Sequence, residues 1–284
     1  MTALQAVLLG VLQGLTEFLP ISSTAHLTLA GKFFGLVDAA HAEAWTSFLA
    51  VVQLGTLAAV IAYFYQDLLN MWRSTLQDLR THGITFRIDR YSAETRSAIY
   101  IAAGTVPIVF VGGALNDILH GMLTKNLAVI TASLVTLAAF LLLAEKVARH
   151  TRGLPELNLK DAILIGLAQT LALIPGSSRS GTTITAGLFL NLTRSAAARF
   201  SFLLSIPAVL ASGLHELLSL NSDPFQGGTM NLLVATVVAG ISGYAAIAWL
   251  LKFLMKRTMM VFVWYRMGLG LILALLLYAG TVQP

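Results

Sequence analysis

Six predominantly apolar runs, at residues 45–65, 98–115, 126–144, 197–218, 230–251 and 260–280, govern what this chain can fold into. Each is close to the ~20 residues that a helix needs to cross the hydrocarbon of a bilayer. In lipid no water is present to bond stray backbone groups, so each run is predicted to be a spanning α-helix. The fold class that follows is an all-α polytopic membrane protein. Composition agrees: of 284 residues, 57% are hydrophobic and only 11% charged, which excludes an ordinary soluble domain. The chain has no cysteine, so disulfides, thiolate metal sites and cysteine nucleophiles are excluded.

Two further apolar stretches are too short to span. Residues 1–19 and 22–36 are broken at Pro20, and residues 162–173 and 182–192 are broken around Pro175, so each pair reads as a re-entrant helix-loop-helix. The two breaks align with each other. Gly10, Gln13, Pro20, Ser22 and Ser23 match Gly166, Gln169, Pro175, Ser177 and Ser178 with one residue deleted before the second proline, and Ala30-Gly31 meets Ala186-Gly187. A single membrane domain over 1–284 is expected, built as repeat one at 1–145, re-entrant over 1–36, and repeat two at 146–284, re-entrant over 161–192. Three spans per repeat is an odd number, so the second repeat is inverted relative to the first and the interrupted helices meet near the midplane.

Charge points to the same topology. Of the 18 Lys and Arg residues, all but Lys32, Lys125, Arg179 and Arg266 fall in the loops 66–97, 146–160, 193–199 and 252–258. The positive-inside rule makes those loops cytoplasmic. The net charge of +5 is therefore a membrane-side signal, and no nucleic-acid partner is expected. Arg194 and Arg199 are expected to face lipid headgroups.

The stretch Pro175-Gly176-Ser177-Ser178-Arg179-Ser180-Gly181-Thr182-Thr183 is costly to keep in so apolar a chain. Its helix start offers unpaired N–H groups to an anion. Arg179 adds a planar fork suited to phosphate oxygens, and Ser177, Ser178, Ser180, Thr182 and Thr183 add short donors. The bland alternative is a polar break at which helices pack closely. The N-terminal break supplies complementary groups. Gln13 and Glu17 share a helical face, and Ser22 and Ser23 stand four and three residues before His26. A carboxylate beside phosphate needs a cation between them, so Glu17, helped by Gln13, suggests Mg²⁺ or Ca²⁺. His26 can act as acid, base or nucleophile, and a neighbouring serine can be activated by it. Against these roles stand a structural carboxylate, glue between helices, a packing histidine and helix caps.

These residues resemble the integral-membrane undecaprenyl-diphosphate phosphatases, also called bacitracin-resistance proteins. The resemblance rests on the run from Gln13 through Glu17, Pro20, Ser22 and Ser23 to His26, and on Pro175 to Gly181. It implies hydrolysis of the lipid diphosphate to the monophosphate and inorganic phosphate, which recycles the peptidoglycan lipid carrier. It also implies a site open to the outer face of the bacterial inner membrane. Bacitracin, on this reading, acts by sequestering the substrate. Partners would be the isoprenyl diphosphate and membrane lipids, with room for a homodimer. One departure is neutral Gln13, where many members carry a carboxylate. The nucleophile stays open among His26, a serine of the Ser22-Ser23 pair and water. The rival class is a transporter or flippase of an isoprenyl phosphate lipid, which has little use for His26 beside Ser22, Ser23 and Glu17.

Overall fold

The computed structural model describes residues 1–37, 42–85, 87–115, 126–219 and 229–282. The expected turn at 116–125, with Lys125, lies outside the described residues. The helices are α1 Ala3–Phe18, α2 Ser23–Phe33, α3 Ala42–Tyr63, α4 Tyr65–His82, α5 Ala93–Ala114, α6 Leu127–Val147, α7 Leu159–Thr170, α8 Arg179–Phe189, α9 Arg194–Ser219, α10 Thr229–Leu254 and α11 Met260–Tyr278. Six of them, α3, α5, α6, α9, α10 and α11, are long and apolar enough to cross a membrane. They correspond to the six runs read from the sequence.

The largest departure is the region 66–97, expected as a charged loop. It holds α4 and the first turn of α5. Its apolar residues recur at helical spacing between the charges, and Ser92 starts α5 by accepting from the Thr95 amide. Asp78 of α4 accepts from the Ser92 amide at 2.8 Å and hydroxyl at 2.7 Å. Hydrogen bonds from the Thr95 and Ser92 hydroxyls and the Ser92 amide hold the Asp78 carboxyl below its ordinary range, so this tie persists at neutral pH.

Small residues let the short helices press against spans. A Cβ on Gly10 of α1 would lie 2.5 Å from the Ala235 carbonyl of α10, and one on Gly166 of α7 would lie 2.1 Å from the Gly104 carbonyl of α5. Backbone contact this close replaces the hydrophobic drive that lipid cannot supply between helices. Arg194 and Arg199, expected at headgroups, instead form ion pairs with Glu145 at 2.5 Å and Asp67 at 2.9 Å. Arg152 binds Asp161 at 2.5 Å and the Leu190 carbonyl at 2.9 Å, which ties the end of α8 to the segment leading into α7.

The two proline breaks have the same local form. Ser22 (φ 75°) caps α2 and Ser178 (φ 72°) caps α8, both helices have 11 residues, and each serine hydroxyl accepts the amide three residues on. A non-glycine residue at positive φ costs of order 1 kcal/mol, which the hydroxyl-amide bond offsets. These caps set Ser22 against Ser178 without a gap, the same offset as Ala30 to Ala186. Sequence alone had paired Ser22 with Ser177, because it took the prolines as the anchor.

Arg266 of α11 holds both breaks. Its side chain is 1% exposed and donates to Pro20 O at 3.2 Å on one loop, and to Gly176 O at 3.2 Å and Ser177 O at 3.1 Å on the other. Further bonds reach Leu134 O and Ser133 O on α6. Gly176 (φ 87°) leaves no room for a side chain there, since a Cβ would lie 2.2 Å from Ser133 Oγ. Replacing Arg266 with Met keeps the bulk but strands several buried carbonyls, for an expected loss of about 3 kcal/mol. Lys cannot reproduce the fork and should rescue little. Thermal unfolding in detergent checks this, and an unchanged Tm for Arg266→Met would contradict the account.

Candidate active site

The last turn of α1 places Gln13 and Glu17 one above the other, and the chain then turns at Pro20 so that Ser23 returns beside them. Gln13 Nε2 donates to Glu17 Oε2 at 3.0 Å, and Ser23 Oγ donates to the same oxygen at 2.6 Å. From the other break, Arg179 Nη2 donates to Glu17 Oε1 at 2.5 Å, while Nη1 reaches Ser205 O of α9 at 3.3 Å. The ion pair is deeply buried, with Glu17 side-chain exposure of 4% and Arg179 of 15%. Taking either partner away would leave an uncompensated charge in a poorly polarisable setting.

This cluster forms part of the wall of a cavity of about 700 Å³. Glu17, Ser23, Thr24, Gly176, Ser178 and Arg179 line it at the breaks, and Gln53, Gly112, Leu173 and Ser212 line it elsewhere. Ser23 and Thr24 open α2 and Arg179 opens α8, so two helix N-termini converge on one volume. The first amides of a helix have no intrahelical acceptor, so both ends favour an anion there. The surrounding wall is mostly apolar, as a site for a lipid with a charged head requires.

The other sequence candidates are placed differently. Ser180 Oγ lies 3.1 Å from Leu19 O and 3.3 Å from Glu17 O and donates there, bracing one break against the other. Thr182 and Thr183 donate to the Arg179 carbonyl, and Thr183 also meets Ser201 Oγ at 2.6 Å. None of these three lines the cavity. Ser177 is fully buried, and its hydroxyl has no hydrogen-bond partner among the described residues. Ser22 Oγ is engaged as the cap of α2. His26 turns away from Ser23: its Nδ1 meets Ser22 O at 2.7 Å and its Nε2 meets Tyr265 Oη at 2.6 Å. A carbonyl only accepts, so Nδ1 carries a proton, and in the neutral ring Nε2 accepts from the tyrosine.

Several wall residues were not read as site residues from the sequence, and His215 was expected to be solvated near a span end. Thr24, Thr46, His215 and Glu216 line the cavity, and Ser47 donates to Glu216, tying α3 to α9. Single polar residues in spans give no spacing signal. Glu17 and Gln13 provide one carboxylate and one neutral amide oxygen, and no group of three His, Cys, Asp or Glu residues suited to a metal occurs among the described residues. That donor set fits a hard cation that shares its shell with substrate phosphate oxygens, and does not fit an all-protein cage.

The comparisons with known proteins agree with one another. Residues 6–272 match the protein family described as "Bacitracin resistance protein BacA". The chain is 48% identical over 272 residues to a protein of Syntrophobacter fumaroxidans named "Undecaprenyl-diphosphatase", covering 95% of each. It is 47% identical over 284 residues to a protein of that name from Myxococcus xanthus, covering 100% of this chain and 92% of the other. With that match over nearly its whole length, the chain belongs to the bacitracin resistance protein family.

Proposed function

We propose that this chain hydrolyses undecaprenyl diphosphate to undecaprenyl phosphate and inorganic phosphate, with Ser23 as the nucleophile and Glu17 as its base. The observation that carries this reading is the 2.6 Å bond from Ser23 Oγ to Glu17 on the cavity wall, beside Arg179. A carrier that only moved the lipid would have no use for a serine hydroxyl held against a carboxylate.

Before substrate enters, Arg179 and Glu17 neutralise each other. A diphosphate arriving between the N-termini of α2 and α8 offers Arg179 a better partner, and the guanidinium turns to the phosphate oxygens. Glu17 is then free to take the Ser23 proton as Oγ bonds to the terminal phosphorus and the bond to the bridging oxygen breaks. The proton passes to the departing lipid monophosphate. In the second half Glu17 takes a proton from water as it attacks the phosphoserine, and returns it to Ser23 Oγ as inorganic phosphate leaves. Ser22 and His26 act through the loop they hold, and Gly176 and Ser178 shape its opposite wall. Ser177, Ser180, Thr182 and Thr183 support the diphosphate site from behind. A divalent cation, Mg²⁺ or Ca²⁺, held by Glu17 and the Gln13 amide oxygen, would supply neutralisation of phosphate charge.

The architecture proposed with this is a pair of inverted repeats with re-entrant breaks. Its support is the matching serine caps, and the way α1 packs on α10 while α7 packs on α5, each against the middle span of the other half. The cavity is lined by the early residues of α3 and the late residues of α5 and α9, the ends farthest from the basic loops. In a bacterial inner membrane this opens the site to the outer face, where bacitracin also competes for the lipid.

Purified protein in detergent should release phosphate from an isoprenyl diphosphate. Ser23→Ala and Glu17→Gln should each lower kcat by at least ~10³-fold, and Arg179→Ala by at least ~10²-fold, by analogy with removal of preorganised transition-state donors. Wild-type turnover in Ser23→Ala would overturn its role. EDTA should abolish release and added Mg²⁺ or Ca²⁺ restore it. Gln13→Glu should lower the cation concentration for half-maximal rate, since it adds a charged oxygen donor; an unchanged requirement would remove Gln13 from the cation site.

A further inference from the structure

Helix α4 carries a surface that the phosphatase reading does not use. One face is packed: Met71 is buried, Leu68 joins the core, and both acidic residues are engaged, Asp67 with Arg199 at 2.9 Å and Asp78 with Ser92 at 2.7 Å. Beside it runs an apolar stripe formed by Tyr65, Leu69, Trp72, Leu76 and Leu79, in alternating steps of four and three residues. Tyr65 is 59% exposed, Trp72 64% and Leu79 41%, so among the described residues nothing covers these positions of the stripe. Exposed Arg73 and Arg80 border its other edge, and Gln66, Asn70, Gln77 and Thr81 complete the circuit.

That wheel has four sectors: protein-facing, apolar, basic and neutral polar. A helix at a lipid boundary needs this order, with the basic residues at the level of the phosphates between the acyl chains and water. Position agrees, because only Phe64 separates α4 from the end of the apolar helix α3, at the end of α3 that leads into the basic region. Asp67 is paired with Arg199 and Asp78 bonds Ser92, both on the side of the helix away from the stripe. The charges that border the stripe are therefore those of the two arginines, complementary to anionic headgroups.

We propose that α4 is an interfacial helix that seats this stripe in the headgroup and acyl boundary and recruits anionic phospholipid through Arg73 and Arg80. The chain lacks cysteine, so a single introduced thiol can be labelled without background. Leu76→Cys and Gln77→Cys carry an environment-sensitive fluorophore, in single-copy nanodiscs of phosphatidylcholine with or without phosphatidylglycerol. The label at position 76 should be quenched by nitroxide-bearing lipid and shielded from aqueous iodide, and the label at 77 should show the reverse. Equal access of iodide to both would overturn the proposal. Shielding that appears only when several copies share a vesicle would also overturn it, by assigning the stripe to a second copy of the chain. In mixed bilayers, nitroxide phosphatidylglycerol should quench position 76 more than nitroxide phosphatidylcholine. Arg73→Gln and Arg80→Gln should each lower that preference by about fivefold. A preference unchanged in the double variant would refute the recruitment of anionic lipid, and retained phosphatase activity confirms that each variant is folded.

Discussion

The ion pair between Glu17 and Arg179 is the interaction on which the rest of this molecule depends. Neither charge is tolerable alone at such depth, and each comes from a different broken helix in a different half of the chain. Two halves that must share one buried ion pair have to fold against each other. On the proposed mechanism, the same pair keeps the site neutral until a ligand with more negative charge than one carboxylate displaces it. On that mechanism, stability of the empty protein and readiness for a diphosphate come from one contact.

Arg266 solves a second problem. A helix broken in buried, apolar surroundings leaves carbonyls with neither helix nor water to bond them. Here one guanidinium collects those of Pro20, Gly176 and Ser177, and borrows two more from α6 to fill its fork. Its partners are all carbonyl dipoles, so its charge is dispersed over them and Arg266 does not compete with Arg179 for Glu17. The tips of the two loops are fixed to a common point, which is why Ser23 and Arg179 can meet the same carboxylate at hydrogen-bond distance.

Much of this was legible in the sequence because lipid narrows the choices so strongly. Apolar length gave the six spans, and a proline flanked by serines in apolar surroundings gave the two breaks. Glu17, Ser23 and Arg179 stood out because charge and hydroxyl density are expensive there. What could not be read depends on direction. Thr182 and Thr183 looked like phosphate donors by composition, yet as helical residues their hydroxyls return to the Arg179 carbonyl one turn back. His26 lies three residues beyond Ser23, but Tyr265, distant in sequence, draws its ring to the far side of α2. Arg266 sits among Tyr and Met at a span's start and resembles an interfacial anchor, and only the tertiary fold shows carbonyls around it. In α4 the charges masked a regular apolar spacing, so a helix passed for a loop.

On the proposed mechanism Ser23 becomes covalently phosphorylated after Glu17 takes its proton and passes it to the leaving lipid phosphate. Rapid acid quenching of the protein mixed with isoprenyl diphosphate labelled in the terminal phosphate tests this most directly, followed by peptide mapping. Label on Ser23 should appear before free phosphate and decay as phosphate rises. Active protein that releases phosphate with no label on the peptide at any time would contradict it, and would give the attack to water.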